Sequence, residues 1–137
     1  MDRNAIFNWT KKRYGTEPEY LWHDTQWNAV LRNQENNKWY AVILKVEESR
    51  LGLQENRIVD ILDIKCAPNL IGSPRQRLGF LPGYHMNKNS WITILLDGTV
   101  PEKGFKNLID LSYQLTQLKR VSIRKPKKDT VKNMSTP

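Results

Sequence analysis

The sequence predicts an α+β domain, a two-layer sandwich in which two main helices cover one face of an antiparallel sheet. A helical pattern lies near each end of the chain, and runs rich in β-branched and aromatic residues lie between them. The connections between those runs are short, which favours antiparallel hairpins over parallel crossovers. Because two helices can cover only one face of such a sheet, the other face is expected to stay open.

The N-terminal half is predicted to form one helix and three strands. Asp2 is a suitable N-cap and Gly15 a suitable stop signal, so we expect a helix over 2–14. Polar, turn-forming connections separate three further runs, which we predict as strands over 27–32, 38–47 and 57–66. The second strand has the strongest pattern, because the run WYAVILKV is apolar on both faces for much of its length.

A hairpin is predicted over 79–98. Turn-forming residues divide this stretch into two strands, 84–86 and 91–96, with Lys88 at the tip between them. Alternation along the second strand places Trp91 on the open face of the sheet, beside the residues at the end of the preceding strand.

The last predicted element is a helix over 100–118, with Pro101 in its first turn and a clear apolar stripe. Glycine and proline interrupt a weaker helical pattern over 67–78. We therefore predict a single domain over 1–120, followed by a basic, disordered tail over 121–137.

The charge of the chain is concentrated near its C-terminus. The 137 residues carry a formal net charge of +8. From Lys119 onward there are seven basic residues and one acidic residue, a net charge of +6, which leaves +2 for residues 1–118. The high pI is therefore mainly a property of the tail.

The cysteine count and the hydropathy pattern exclude several classes of protein. Cys66 is the single cysteine, and together with the scattered His23 and His85 it lacks the spacing of a zinc site. No apolar run approaches the roughly 20 residues of a membrane span. We expect a cytoplasmic monomer with no metal, no cofactor and no membrane partner.

Several segments of the chain resemble the MmcQ/YjbR family. The matching residues are PGYHMNK at 82–88, Trp91, Thr93, Asp97-Gly98, Lys65-Cys66 followed by Pro68, and Leu108-Ile109-Asp110 with Ser112-Tyr113. The resemblance covers 1–118 and departs at Ser90, where the family often has His, and at Leu95, where it often has an acid. It implies a frataxin-like (CyaY-like) fold and the double-wing arrangement proposed to bind DNA, and it supplies no catalytic residue.

Eight residues are the candidate contacts to nucleic acid. They are Lys65, Arg75, Arg77, Tyr84, His85, Asn87, Lys88 and Trp91. The cations and Asn87 could contact phosphates or base edges, and the two aromatic rings could stack on exposed bases. Structural interpretations stay open beside these: a solvated turn at Lys88, aromatic packing of the rings, and a hydrogen-bonded His85.

We therefore predict a non-enzymatic nucleic-acid-binding protein, with DNA as the first choice. The first alternative is a protein-interaction module that uses the open sheet face around Trp91. The least favoured alternative is an enzyme that uses His85 and Cys66, because Cys66 is expected to be a small buried hydrophobic residue with no evident base beside it.

Overall fold

A computed structural model describes residues 1–67 and 77–117 of the chain. Its helices are α1 (Arg3–Tyr14) and α2 (Glu102–Gln117), and its strands are β1 (Ala29–Arg32), β2 (Trp39–Glu47), β3 (Ile58–Lys65), β4 (Phe80–Pro82) and β5 (Trp91–Leu95). A short 3-10 helix spans Glu48–Leu51. The strands form one antiparallel sheet in the order β1-β2-β3-β5-β4. The α+β prediction is confirmed.

Both helices are predicted to within two residues of their ends. Asp2 accepts a hydrogen bond from the backbone N–H of Ala5 at 2.9 Å, which caps α1. Gly15 ends that helix in the left-handed region, at φ 71°, and its N–H donates to the carbonyl of Lys11. In the part of the chain that the structure describes, no helix is long and apolar enough to cross a membrane.

Strand alternation divides the sheet into two apolar faces. The first face packs against both helices, through Ile6 of α1 and Phe105 and Ile109 of α2; its strand residues include Leu31, Ile43, Leu62, Ile64, Phe80, Ile92 and Ile94. The second face carries Val30, Val42, Leu44, Ile61, Trp91 and Leu95. The prediction of two helices on one face is confirmed, and the second face is the one that the helices leave uncovered.

Ser112 of α2 joins the helix to the sheet where the β2–β3 ladder ends. The last paired residues of that ladder are Ala41 and Ile64. Beyond them, Ser112 Oγ donates to the carbonyl of Tyr40 at 2.6 Å and accepts from the backbone N–H of Lys65 at 2.9 Å. A helix side chain therefore continues the ladder and holds the backbone of Lys65.

Replacing Ser112 with alanine is expected to lower the free energy of unfolding by about 2 kcal/mol, because the carbonyl of Tyr40 and the N–H of Lys65 would both lose a partner. Urea denaturation followed by far-UV circular dichroism measures this cost. Ser49→Ala, which removes an exposed hydroxyl from the 3-10 helix, is the matched control and should change the free energy by no more than about 0.5 kcal/mol. Equal costs for the two variants would contradict the bridging role.

The predicted hairpin is wrong in its first strand. The strand that pairs with β5 is Phe80–Pro82, whereas Tyr84, His85 and Met86 lie in turns that follow it. His85 adopts φ 61°, in the left-handed region, where histidine is among the residues that occur more often. Proline at the end of an edge strand costs no ladder hydrogen bond, which permits β4 to run through Pro82.

Three predictions fall partly or wholly on residues that the structure does not describe. The weak helical pattern over 67–78 lies mostly in 68–76, outside the described residues. Arg75 lies there too. The predicted tail over 121–137 and the boundary at residue 120 lie beyond the last described residue, 117.

Candidate nucleic-acid interface

The second face carries positive charge at the end where β3 finishes and β5 begins. Lys65 is the register partner of Trp91, and its ammonium lies 5.8 Å from the centre of the Trp91 ring. Burial lowers the pKa of Lys65, and the positive charge of nearby Lys38 lowers it further. The negative charge of an anion at this position would act in the opposite direction and favour the charged form of Lys65.

Trp91 lies on the second face, as predicted, but the residue is only 8% exposed. It packs in the cluster of Val30, Val42, Leu44, Ile61 and Leu95, with Leu81, Tyr84 and Met86 also packed against that cluster. Sequence alternation predicts the face of a residue but not what the neighbouring loop places over it. Such a small exposed area suits support of the Lys65 side chain better than stacking on a base.

The loop over 83–90 is tied down onto the start of β5. The backbone of Gly83 comes so close to Trp91 that a Cβ at Gly83 would lie 3.0 Å from the Trp91 Cβ. The N–H of Tyr84 donates to Thr93 Oγ1 at 2.8 Å, and Lys88 Nζ donates to the carbonyl of Gly83 at 3.0 Å. The loop therefore holds a defined position beside the second face.

A buried carboxyl group lies beneath this loop. Asp63 is 0% exposed, its Oδ1 accepts a hydrogen bond from Thr93, and its Oδ2 has no hydrogen-bond partner among the described residues. Burial raises the pKa of Asp63 to about 7, although Thr93, the Tyr84 backbone and the charge of Lys88 act in the opposite direction. Asp63 and Thr93 thus form a polar anchor for the loop inside an apolar face.

The second face also contains an aromatic groove, with a volume of about 690 Å³. Its aromatic and apolar lining includes Trp22, Trp27, Trp39, Val42, Leu44, Val46, Tyr84, His85 and Met86. The rings of Trp22 and Trp39 meet edge to face, with their centres 6.2 Å apart. Trp22 and Trp27 are 37% and 45% exposed, so they are accessible from the groove.

Sequence reasoning missed Trp22 and Trp27 as candidate site residues. Both lie before β1: Trp22 is in a segment without a strand or helix pattern, and Trp27 is the first residue of the strand predicted over 27–32, which begins only at Ala29. The isolated bridge between Glu19 and Val30 and the hydrogen bond from Lys45 N–H to Asn28 at 3.0 Å fold this segment along the sheet. Two exposed tryptophans in a polar segment were the available signal.

The opposite end of the groove has mixed charge. Lys45 Nζ lies 3.6 Å from Asp60, which also accepts hydrogen bonds from Arg3. Arg50 lies 4.0 Å from Glu47. These cations are already paired, so the positive end at Lys65 is the better place for a phosphate.

The predicted contact residues are only partly brought together. Lys65, Tyr84, His85, Lys88 and Trp91 all lie on the second face or in the loop beside it. Asn87 belongs to the same loop, where its Oδ1 accepts from the N–H of Asn89 at 2.8 Å and so holds a turn.

Arg77 lies elsewhere. It lines a separate groove of about 510 Å³ between the start of β4 and α2, together with Val100 and Lys103. The loop over 83–90 follows the other end of β4, so Arg77 is not part of the positive end at Lys65.

Cys66 and His85 line different grooves on opposite faces of the sheet. Cys66 packs against the helix-side core and lines a groove with Leu108 and Leu111, whereas His85 lines the aromatic groove. Cys66 was predicted to be fully buried but is only half-buried, at the position after the last residue of β3. Within 1–67 and 77–117, no group of three His, Cys, Asp or Glu residues could hold a metal ion.

Two relatives are similar to this chain in sequence. The uncharacterized protein YyaQ of Bacillus subtilis is 42% identical over 117 residues, which cover 85% of this chain and 99% of the relative. The uncharacterized protein YjbR of Escherichia coli is 35% identical over 83 residues, which cover 58% of this chain and 69% of the relative.

Two solved structures are similar in fold. A crystal structure of a Pseudomonas syringae protein has a TM-score of 0.83 at 39% identity and covers 85% of this chain and 99% of that one. A crystal structure of a Deinococcus radiodurans protein with a DUF419 domain has a TM-score of 0.64 at 22% identity, over 85% of this chain and 78% of that one, and shows the fold alone. The sequence profile of the YjbR family matches residues 11–115. The chain therefore belongs to the YjbR family.

Proposed function

We propose that this chain binds nucleic acid, DNA in the first place, through the positive end of the second face. The observation that carries the proposal is the environment of Lys65. Its ammonium is partly buried against Trp91, next to the like charge of Lys38. Neither lysine has a carboxylate within 4 Å among the described residues. Two unneutralised cations that lie near each other favour a phosphate ligand.

Phosphate contacts, and therefore electrostatic attraction, are expected to supply most of the affinity. Phosphate contacts release condensed counterions, so each contact contributes about 0.9 to the slope of log affinity against log salt on duplex DNA. Lys88 is placed in the loop next to the same end of the sheet, where it also acts on the buried Asp63. The proposal includes no catalytic step and no membrane partner, and it places a monomer in the cytoplasm.

Replacing Lys38 and Lys65 together with glutamine is expected to weaken duplex binding at about 0.1 M salt by at least tenfold, and to lower the salt slope by about 2. The measurement is fluorescence anisotropy of a labelled duplex, titrated with the full-length protein over a range of salt concentrations. Full-length variants keep the basic C-terminal residues constant, so their contribution cancels in each comparison.

The matched control is Lys103→Gln combined with Lys12→Gln. Both residues are exposed lysines on the two helices, so this variant loses the same charge from the other layer of the fold. If the control pair weakens binding as much as Lys38→Gln with Lys65→Gln, net charge alone drives binding and the second face is not the site.

The second candidate function is a protein-interaction module on the same face. It is favoured by the aromatic groove, since exposed tryptophans beside apolar strands are typical of protein-binding surfaces. A wild-type protein that binds no nucleic acid even at low salt would make this the leading function.

A further inference from the structure

We infer that the aromatic groove binds unstacked bases, so that single-stranded nucleic acid is preferred over duplex. The inference rests on the proposed function and specifies its ligand. The site is distinct from the lysine end, because its surface is built from Trp22, Trp27 and Trp39 above the floor of β2.

The groove has the shape of a channel along β2. Val42, Leu44 and Val46, alternate residues of that strand, form its floor. The segment before β1 supplies Trp22 and Trp27 on one side of β2. The loop over 83–90, next to β5 and β4, lines the opposite side. From Trp39 to Glu47 the strand extends for about 26 Å at roughly 3.3 Å per residue, which is long enough for a short run of nucleotides.

The accessible tryptophan rings are suited to stacking on bases that are not already stacked between neighbouring base pairs. Base faces in a duplex are covered by neighbouring pairs, so a protein ring can reach them only in a single strand or after extrusion. Trp22 and Trp27 are 37% and 45% exposed, and Trp39 holds Trp22 in place through the edge-to-face contact at 6.2 Å. Their rings therefore present surface that a paired base cannot use.

The charges around the groove suit a single-stranded nucleic acid whose phosphate backbone reaches the lysines at one end of the groove. Trp39, at the start of β2, lies at the same end of the sheet as Lys65 and the preceding Lys38. At the far end, Lys45 and Arg50 also line the groove, each beside an acid. A polyanion with planar bases matches an aromatic groove that ends at unneutralised lysines, whereas an apolar peptide does not use those charges.

Electrostatics alone predict the reverse preference. A duplex has a higher charge density than a single strand, and its salt slope per contact is about 0.9 against about 0.7. A protein that only attracts phosphates should therefore hold a duplex at least as well as a single strand. A preference for the single strand would require contacts to the bases.

The test compares three labelled ligands of equal length with the full-length protein. They are an oligothymidylate, a duplex, and an abasic strand that keeps the phosphates and lacks the bases. The variant is Trp22→Ala, and the matched control is Tyr20→Ala, since Tyr20 is a 51% exposed aromatic residue of the same segment that does not line the groove. Far-UV circular dichroism checks that the variants are folded, and Trp27→Ala replaces Trp22→Ala if that variant is not.

The expected result is that wild type binds the oligothymidylate more tightly than the duplex or the abasic strand. Trp22→Ala should weaken oligothymidylate binding by roughly fivefold to a hundredfold, the range for loss of one stacked base. Its affinity for the other two ligands should change by less than about twofold, and Tyr20→Ala should match wild type throughout.

Two other outcomes overturn the inference in distinguishable ways. If the duplex and abasic strand bind as tightly as the oligothymidylate, and Trp22→Ala changes nothing, then the groove does not bind bases while the lysine site stands. If wild type binds none of the three ligands at low salt, the proposed function fails as well.

Discussion

The free energy of unfolding of the wild-type protein is expected to fall between about pH 4 and pH 7, and an Asp63→Asn variant is expected not to show this fall. Asp63 is fully buried, and burial raises its pKa to about 7, against a reference of about 3.9 in an unfolded chain. Over the interval between these values the native state keeps a proton that the unfolded state has released. The stabilisation is therefore complete below pH 4, falls as the pH rises, and is lost above pH 7.

The size of this change in the free energy of unfolding follows from the difference between the folded and unfolded pKa values of Asp63. Each pH unit between the two pKa values changes the free energy of unfolding by about 1.4 kcal/mol, so the group contributes on the order of 4 kcal/mol in total. Asparagine cannot ionise, and its Oδ1 can still accept from Thr93. Its amide would be buried without a partner, which costs roughly 1–3 kcal/mol at every pH. The variant should therefore be less stable than wild type at pH 4, where wild type keeps the full stabilisation, and more stable than wild type at pH 8, where wild type has lost it.

Urea denaturation at a series of pH values, followed by far-UV circular dichroism, measures both curves. Asp24→Asn, at an exposed carboxylate, is the control and should follow wild type. If Asp63→Asn and wild type lose stability in parallel between pH 5 and pH 8, the buried carboxyl is not the group responsible.

Trp91→Ala is expected to lower the free energy of unfolding by roughly 3–5 kcal/mol, the range for removing a large buried aromatic side chain. Trp91 is 8% exposed and packs in the apolar cluster of the second face. Its loss would leave a cavity under the loop over 83–90 and remove the surface on which Lys65 lies. A binding defect in this variant would then follow from displaced neighbours and would not by itself indicate contact with a base.

Trp27→Ala is the matched control for this substitution. It removes the same side chain from the same face, but from a position that is 45% exposed, so its cost should stay below about 1 kcal/mol. Chemical denaturation of both variants gives the comparison. Similar costs for Trp91→Ala and Trp27→Ala would show that the ring of Trp91 is not part of a packed core.

Local signals made most of the fold predictable. Asp2 and Gly15 cap the two ends of α1, as their capping chemistry predicts. The apolar run of β2 has the length and composition of a strand. The first strand of the hairpin was not predictable in this way. Three residues, Tyr84 to Met86, have strand-like side chains between turn formers, and only their position over Trp91 and Thr93 shows that they belong to a loop.

The site was less predictable than the fold because burial and proximity depend on the folded chain. Alternation placed Asp63 and Lys65 on one face, but no local pattern shows that Asp63 is sealed from water while Lys65 is not. Arg77 is near Lys88 in sequence, yet β4 separates them. Trp22 and Trp27 acquire a shared groove only when the segment before β1 folds along the sheet.

The distribution of tryptophan has a practical consequence. Of the five tryptophans, Trp22, Trp27, Trp39 and Trp91 lie on the second face, and only Trp9 packs against the helix-side core. The intrinsic ultraviolet emission of the protein therefore comes mostly from the face that we propose for binding. In a Trp9→Phe variant, all tryptophan emission would come from the second face. Ligand binding at that face could then be followed by the fluorescence of the unlabelled protein.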